Sequence, residues 1–322
     1  MNKLLEEIRK IGIVPVVTLD NSDNALPLAV ALNKGGIDCI EITFRTKAAK
    51  KSIMSISREF PKMLIGAGTV LTTQHVDEAI YAGAKFIVTP GLNPKIVKYC
   101  IEKNITIIPG CSSPTDIEIA IELGVNTVKI FPVENIGGLN MIKALSAPYT
   151  NMNFIPTGGI NLKNINSYLS FKKVIACGGS WITNKELIDK NDFNSITKLS
   201  KEAISSILNF ELAHVCMNSK DESHVNEIAN LFTNIFNFEN KKTLSSTFVS
   251  NNIEIMGPPY NRGTNGHLAI ATNSVERAVY HLIKTDVSFD YKTAKYDTNN
   301  TLKFIYLKNE INGFAVHLLQ KN

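Results

Sequence analysis

Apolar and polar positions in the first two-thirds of the chain follow one repeating period. A short apolar strand leads into a turn rich in Gly, Pro or Thr, and then into a helix. The strands read at 13–19, 39–44, 64–70, 86–91, 106–111, 127–133, 154–160 and 173–179. Helical patterns lie between them at 22–35, 47–60, 73–83, 93–103, 114–124, 137–147 and 161–170, with a last one at 192–209. Asn93-Pro94 and Ser113-Pro114 each put a proline in a first helical turn, and Gly35, Gly83 and Gly124 close helices. Alternation of strand and helix implies βα units and a parallel sheet. Eight units in about 200 residues fit a (β/α)8 barrel at the small end of its range. A doubly wound open sheet is the rival. It usually carries a Gly-rich loop after the first strand, and Leu19-Asp20-Asn21-Ser22 is not one.

Beyond residue 209 the period changes. A strand at 211–217 and a helix at 221–236 precede strands near 244–249 and 252–256. Pro258-Pro259, Arg262-Gly263 and Asn265-Gly266 then break the pattern. It recurs as a strand at 266–271, a helix at 274–286 and strands near 302–307 and 313–319. This is a tandem βαβββ repeat in which His214 aligns with His267 and Glu254 with His317. The expected organisation is an α/β protein: a (β/α)8 TIM barrel over 1–209, followed by a smaller α+β domain over 210–322.

The stretch Thr127-Val128-Lys129-Ile130-Phe131-Pro132-Val133-Glu134 changes the picture, because one lysine sits in the middle of an apolar strand. Thr127, Lys129 and Phe131 share a face, since alternate strand residues do. An ammonium there is solvated, paired or neutral, because burying it as a charge is costly. A neutral lysine amine is a nucleophile whose natural product with a carbonyl is a Schiff base. In the strand at 39–44 Glu41 and Thr43 share one face with Arg45, and Ile40, Ile42 and Phe44 the other. Glu41 and Arg45 read either as an internal ion pair that fixes packing or, with Lys129, as an acid, a cation and an amine around one site. Gly66-Ala67-Gly68-Thr69 offers a thin backbone that a ligand could approach. Pro156-Thr157-Gly158-Gly159-Ile160 and Cys177-Gly178-Gly179-Ser180-Trp181 end the seventh and eighth strands, where barrels bind phosphate through backbone N–H groups.

Composition narrows the classes. The chain of 322 residues is 44% hydrophobic and 20% charged, which is ordinary for a globular protein. Its formal charge of +5 is mild and its basic residues are scattered, so no nucleic-acid partner is expected, while small anionic substrates are suited. Five cysteines at scattered positions, without a CxxC pair, argue for a reducing compartment. Residues 1–10 are charged and amphipathic and lack a signal-peptide core, and no apolar run approaches membrane-spanning length. The expectation is a cytoplasmic protein that does not enter a membrane.

Together, Glu41-Ile42-Thr43-Phe44-Arg45-Thr46, Gly66-Ala67-Gly68-Thr69-Val70, Thr89-Pro90-Gly91, Ile108-Pro109-Gly110, Lys129-Ile130-Phe131-Pro132, Pro156-Thr157-Gly158-Gly159-Ile160 and Gly178-Gly179-Ser180-Trp181 resemble the 2-keto-3-deoxy-6-phosphogluconate (KDPG) aldolases, including the bifunctional KDPG/4-hydroxy-2-oxoglutarate enzymes, over roughly residues 3–209. The resemblance implies a class I aldolase that yields pyruvate and glyceraldehyde 3-phosphate from a phosphorylated 2-keto acid, acts as a homotrimer and needs no metal or other cofactor. It implies Lys129 as the Schiff-base lysine and Glu41 as general acid/base. Arg45 and Thr69 would hold the pyruvate-side carboxylate, with Pro90 and Phe131 lining the pocket. Thr157, Gly158, Gly159, Gly179 and Ser180 would receive the distal polar and phosphate groups. A keto-acid sensor without turnover is the competing reading of the barrel. Residues 210–322 resemble, mainly in architecture, the vicinal-oxygen-chelate (glyoxalase-like) fold. That resemblance makes His214, Glu254, His267 and His317 candidate metal ligands, with His317 departing from the usual Glu. The alternatives are a metal-free binding or assembly module and a metal-dependent isomerase or lyase. His75, His224 and His281 read as surface helix residues.

Overall fold

Parallel pairing organises residues 1–207, one of two compact units in the computed structural model; residues 208–322 form the other. The structure describes residues 2–260 and 262–321, so Met1, Asn261 and Asn322 lie outside the described residues. The first unit contains β1 (Ile13–Val17), β2 (Cys39–Thr43), β3 (Leu64–Gly68), β4 (Phe86–Val88), β5 (Thr106–Ile108), β6 (Gly110–Cys111), β7 (Thr127–Ile130), β8 (Asn153–Pro156) and β9 (Cys177–Gly179). Six of them run in the order β5-β4-β3-β2-β1-β9, and β6, β7 and β8 form a second parallel run. Helices follow most strands, as the sequence period requires. Every residue of β2, β3 and β7 is buried, as expected of parallel strands covered on both faces.

Register sets what faces what. Glu41 pairs with Val16 on one side and Gly66 on the other. Lys129 pairs with Gly110 and Ile155. The strands stop earlier than the apolar pattern suggests: β4 ends at Val88 rather than 91, β7 at Ile130 rather than 133 and β8 at Pro156 rather than 160. The chain leaves the sheet at these points, so Thr69, Pro90, Phe131 and Thr157–Gly159 sit on turns beyond the strand ends. The strand expected at 173–179 is ordered as a strand only over Cys177–Gly179, with Val174 bridging Phe154. A helix at Lys3–Ile11 precedes β1. Asn2 caps it by accepting from the Leu5 N–H, and Leu5, Ile8 and Ile11 form its buried face. Among the described residues no helix is long and apolar enough to cross a membrane.

The second unit is one sheet of eight strands: β10 (Glu211–Asn218), β11 (Asn240–Lys242), β12 (Thr247–Val249), β13 (Ile253–Met256), β14 (Gly266–Thr272), β15 (Phe289–Tyr296), β16 (Leu302–Leu307) and β17 (Phe314–Gln320). Helices Glu222–Phe236 and Val275–Ile283 follow β10 and β14. The order β11-β12-β13-β10-β14-β17-β16-β15 reads the same from either end in terms of module position. Two βαβββ modules therefore join through the antiparallel pair β10 and β14. The strands that complete the modules, β11 and β15, escaped the sequence pattern. Every residue of β11 is exposed, and of β15 half are exposed and only Phe289 is buried, leaving little apolar alternation to see. His281, expected on the surface, is buried, because it follows Arg277 and Ala278 on the inward face of its helix.

Candidate functional site

The carboxyl-terminal ends of the parallel strands in the first unit surround a cavity of about 600 Å³, a size suited to a small-molecule ligand. Its wall contains Glu41, Arg45, Thr69, Pro90, Lys129, Phe131, Thr157, Gly158, Gly159, Gly179 and Ser180. At its floor, Lys129 and Glu41 are 7% and 3% exposed. The Lys129 ammonium donates to Glu41 Oε1 at 3.1 Å and lies 3.5 Å from Oε2, and its Nζ is 5.5 Å from the centre of the Phe131 ring. Two residues 88 apart in sequence thus meet because β2 and β7 both turn these side chains into the cavity.

Glycine permits that meeting. A Cβ on Gly68 would lie 2.2 Å from Glu41 Oε1, and a Cβ on Gly66 would overlap the Phe86 ring. The thin backbone of β3 makes room for Glu41 and Phe86, rather than for a ligand as its sequence suggested. Arg45, expected as a cation around the same site as Glu41 and Lys129, lines the same cavity; it is exposed at the rim and its Nε donates to Thr69 Oγ1 at 3.3 Å, while the direct partner of Lys129 is Glu41. Thr69 has φ of 53°, a left-handed conformation uncommon for a β-branched residue and typical of functional sites.

On the opposite wall the turn after β8 is held from several sides. Gly158 and Gly159 take φ of 98° and 87°. The Glu134 N–H donates to Gly158 O at 3.2 Å. The side-chain amides of Asn161 and Asn164 both donate to Gly159 O at 3.0 Å. The Tyr168 hydroxyl donates to the Glu134 carboxylate, and burial followed by that hydrogen bond raises the Tyr168 pKa above the ordinary phenol range. Thr157 Oγ1 and Trp181 Nε1 are buried without a protein partner. Sequence reading missed Thr18, Thr183, Asn184 and Lys185, which also line the cavity. Thr18 hydrogen-bonds Thr43 across adjacent strands at 2.7 Å. A signal existed for Thr18, which continues the chain directly beyond β1. Lys185 had none, because it enters from a short helix after β9.

The second unit holds a separate cluster. His214 and His267 Nε2 atoms are 3.1 Å apart, and Glu254 Oε2 lies 3.3 Å from the first and 3.1 Å from the second. Ser246 donates to Glu254 Oε1 at 2.5 Å. Burial alone would raise the Glu254 pKa, but hydrogen bonds from His214, His267 and Ser246 outweigh it and hold the carboxyl below its ordinary range. The ligand atoms of His214, His267 and His317 all lie within 4.8 Å of one another, as do those of Cys216, Glu254 and His267. Burial first, then His267 and His214, push His317 down to about 3.

Comparison with known proteins separates the two units. A family model described as "KDPG and KHG aldolase" matches residues 4–199. The 2-dehydro-3-deoxy-phosphogluconate aldolase of Haemophilus influenzae is 49% identical over 205 residues, covering 64% of this chain and 97% of that protein. The Treponema pallidum protein of the same name is 44% identical over 207 residues, covering 64% and 99%. Among solved structures, KDPG aldolase from Legionella pneumophila, with pyruvate captured as a covalent carbinolamine intermediate, superposes with a TM-score of 0.60 at 36% identity. That match covers 62% of this chain and 97% of the other. The Zymomonas mobilis enzyme with 3-phosphoglycerate gives 0.59 at 34%, covering 62% and 94%. With its buried lysine–glutamate pair at the strand ends and these relatives across nearly their whole length, the chain belongs to the KDPG and KHG aldolase family.

Proposed function

We propose that the first unit cleaves 2-keto-3-deoxy-6-phosphogluconate to pyruvate and glyceraldehyde 3-phosphate, and also splits 4-hydroxy-2-oxoglutarate to pyruvate and glyoxylate. The observation that carries this is the buried contact between Lys129 Nζ and Glu41 at the cavity floor. Along that hydrogen bond the ammonium can pass its proton to the carboxylate, freeing the amine to attack the C2 ketone. Glu41 gives that proton to the carbinolamine hydroxyl, which departs as water, leaving a protonated imine between Lys129 and C2 and Glu41 again a carboxylate. Its positive nitrogen accepts the electron pair of the C3–C4 bond as Glu41 takes the C4 hydroxyl proton. The aldehyde departs, a proton returns from Glu41 to C3 of the enamine, and water hydrolyses the pyruvate imine. Arg45 and Thr69 hold the substrate carboxylate against Phe131 and Pro90. Gly158, Gly159, Gly179 and Ser180 present backbone N–H groups to the distal phosphate, with the Thr157 hydroxyl beside them. The parallel strands close as a (β/α)8 barrel. Pro109 interrupts one strand to give β5 and β6, and the bridges Thr157–Gly178 and Phe154–Val174 support closure on the other side.

Borohydride reduction with pyruvate tests the mechanism. A stable pyruvate adduct on Lys129, lost in Lys129→Ala together with pyruvate release, is expected. Turnover by Lys129→Ala would overturn it.

For the second unit we propose a glyoxalase-like pair of modules that binds one divalent metal ion, a reading favoured by the spacing of His214, Glu254 and His267. Donors about 2.0–2.1 Å from a zinc-type ion sit roughly 3.3 Å apart around it, close to the 3.1–3.3 Å separations here. The metal would supply Lewis-acid chemistry, and these three side chains would hold it. Metal content of the full chain purified without chelator tests this reading; absence of any bound ion, with unchanged melting on adding Zn²⁺, would remove it.

A further inference from the structure

His317 is the residue in the second unit whose burial is hardest to explain without a partner. It is 5% exposed, and both of its ring nitrogens are buried without a hydrogen bond. Its ring is fixed between aromatic neighbours. Tyr306 stacks on it at 4.9 Å between centroids and an interplanar angle of 28°. Phe304 meets it edge-on at 4.5 Å and 86°. Aromatic packing cannot satisfy a buried imidazole nitrogen, and leaving one unmade is costly.

Strand register explains what the ring is placed to meet. In one cross-strand row Glu254, Cys216 and His267 stand side by side on β13, β10 and β14. In the next, His214, Ala269 and His317 stand on β10, β14 and β17. Residues two apart on a strand share a face, so both rows project from the same face of the sheet. The middle member of each row is small, a cysteine or an alanine, and both are buried. The larger flanking side chains therefore reach over it toward one another. The His317 ring centre ends 5.0 Å from that of His267 and 5.7 Å from that of His214.

Resting on the reading of this cluster as a metal site, we propose that His317 is its fourth ligand and sets which metals the site takes. Three neutral imidazoles and one carboxylate leave a net charge of +1 around a divalent ion, by the sum 2 − 1. Imidazole-rich sets favour Zn²⁺, Co²⁺, Ni²⁺ and Cu²⁺, whereas carboxylate-rich sets suit Mg²⁺ and Mn²⁺. A site of three histidines and one glutamate therefore selects the zinc class over the magnesium class, and exchanging His317 for a carboxylate shifts it toward the second.

The test titrates Zn²⁺ and Mn²⁺ into the metal-stripped full chain, for the wild type, His317→Ala and His317→Glu, against a chromophoric chelator. The visible spectrum of the Co²⁺-loaded protein is recorded in parallel. Expected are one tight Zn²⁺ site in the wild type, at least a hundredfold weaker Zn²⁺ binding and a shifted Co²⁺ spectrum in His317→Ala, and a Zn²⁺/Mn²⁺ preference at least tenfold lower in His317→Glu. Wild-type binding with an unchanged affinity and Co²⁺ spectrum in both variants would overturn the role of His317 while leaving the metal site intact. A wild type that prefers Mn²⁺ would overturn the selectivity. A folded wild type that binds no metal would remove the site and this role together. If His317→Ala does not fold by circular dichroism, His317→Glu and the wild-type Co²⁺ spectrum decide the same question.

Discussion

The two units each bury a cluster of ionisable groups, and the clusters differ in whether they can satisfy themselves. In the first, Lys129 and Glu41 are opposite charges within hydrogen-bond reach. Each offsets the other's desolvation. In the second, two imidazoles flank one carboxylate, and a third, His317, lies beside them with neither ring nitrogen hydrogen-bonded. Opposite charges make a self-contained reactive pair; several like donors converging on one point call for a cation. That contrast underlies the proposal of acid–base and covalent chemistry for one unit and metal binding for the other.

The comparison breaks most directly at Glu41. Glu41→Gln keeps an acceptor for the Lys129 ammonium but cannot shuttle protons, so pyruvate release should fall by about 10²–10⁴-fold. A loss below tenfold in a coupled pyruvate assay would remove Glu41 from proton transfer. Metal removal acts on the other unit. Chelation by EDTA should leave pyruvate release unchanged, because the imine serves as the electron sink. It should also lower the melting transition of the second unit, since a metal at a thousand times its Kd contributes about 4 kcal/mol. Inhibition of cleavage by EDTA would merge the two chemistries and sink the division of labour. A smaller effect sharpens the phosphate assignment. Gly159→Ala places a Cβ 2.5 Å from Glu134 Cγ on a residue with φ of 87°. Left-handed strain of about 1–2 kcal/mol should raise KM roughly tenfold for the phosphorylated substrate, with little change for 4-hydroxy-2-oxoglutarate. Equal effects on both would take the phosphate away from this turn. The smallest effect concerns thiols. Burial pushes Cys100 up to about 12, and burial followed by Asp116 does the same to Cys111. A raised value keeps both thiols protonated, so iodoacetamide at pH 8 should leave them unmodified until the protein unfolds. Rapid native labelling of Cys111, next to the cavity strands, would show that unit to be more open than its burial implies.

Much of the first unit was legible because parallel strands buried on both faces appear as apolar runs, and a lysine inside one stands out. Glu41 and Arg45 were found together by strand alternation. Their contacts were not: alternation gives the face of a side chain, whereas the neighbour across the cavity depends on where other strands end. Hence the sequence grouped Glu41, Arg45 and Lys129 around one site without deciding which two touch, and in the structure Lys129 meets Glu41. The strands β11 and β15 left no mark, because exposed strands need no apolar pattern. Lys185 could not be placed in the cavity wall from a helix that follows the last strand.

The sequence alone determined the βα period, the tandem modules and the residue types brought to the strand ends, because local backbone preference and burial periodicity are written in neighbouring residues. Tertiary structure decided the rest: that Gly68 makes room for Glu41, that the amine pairs with a carboxylate, and that His214, His267 and His317 from three strands come together, with Glu254 against the first two. Those outcomes depend on register and on how a sheet curves, which are settled only when distant strands pack together and exclude water.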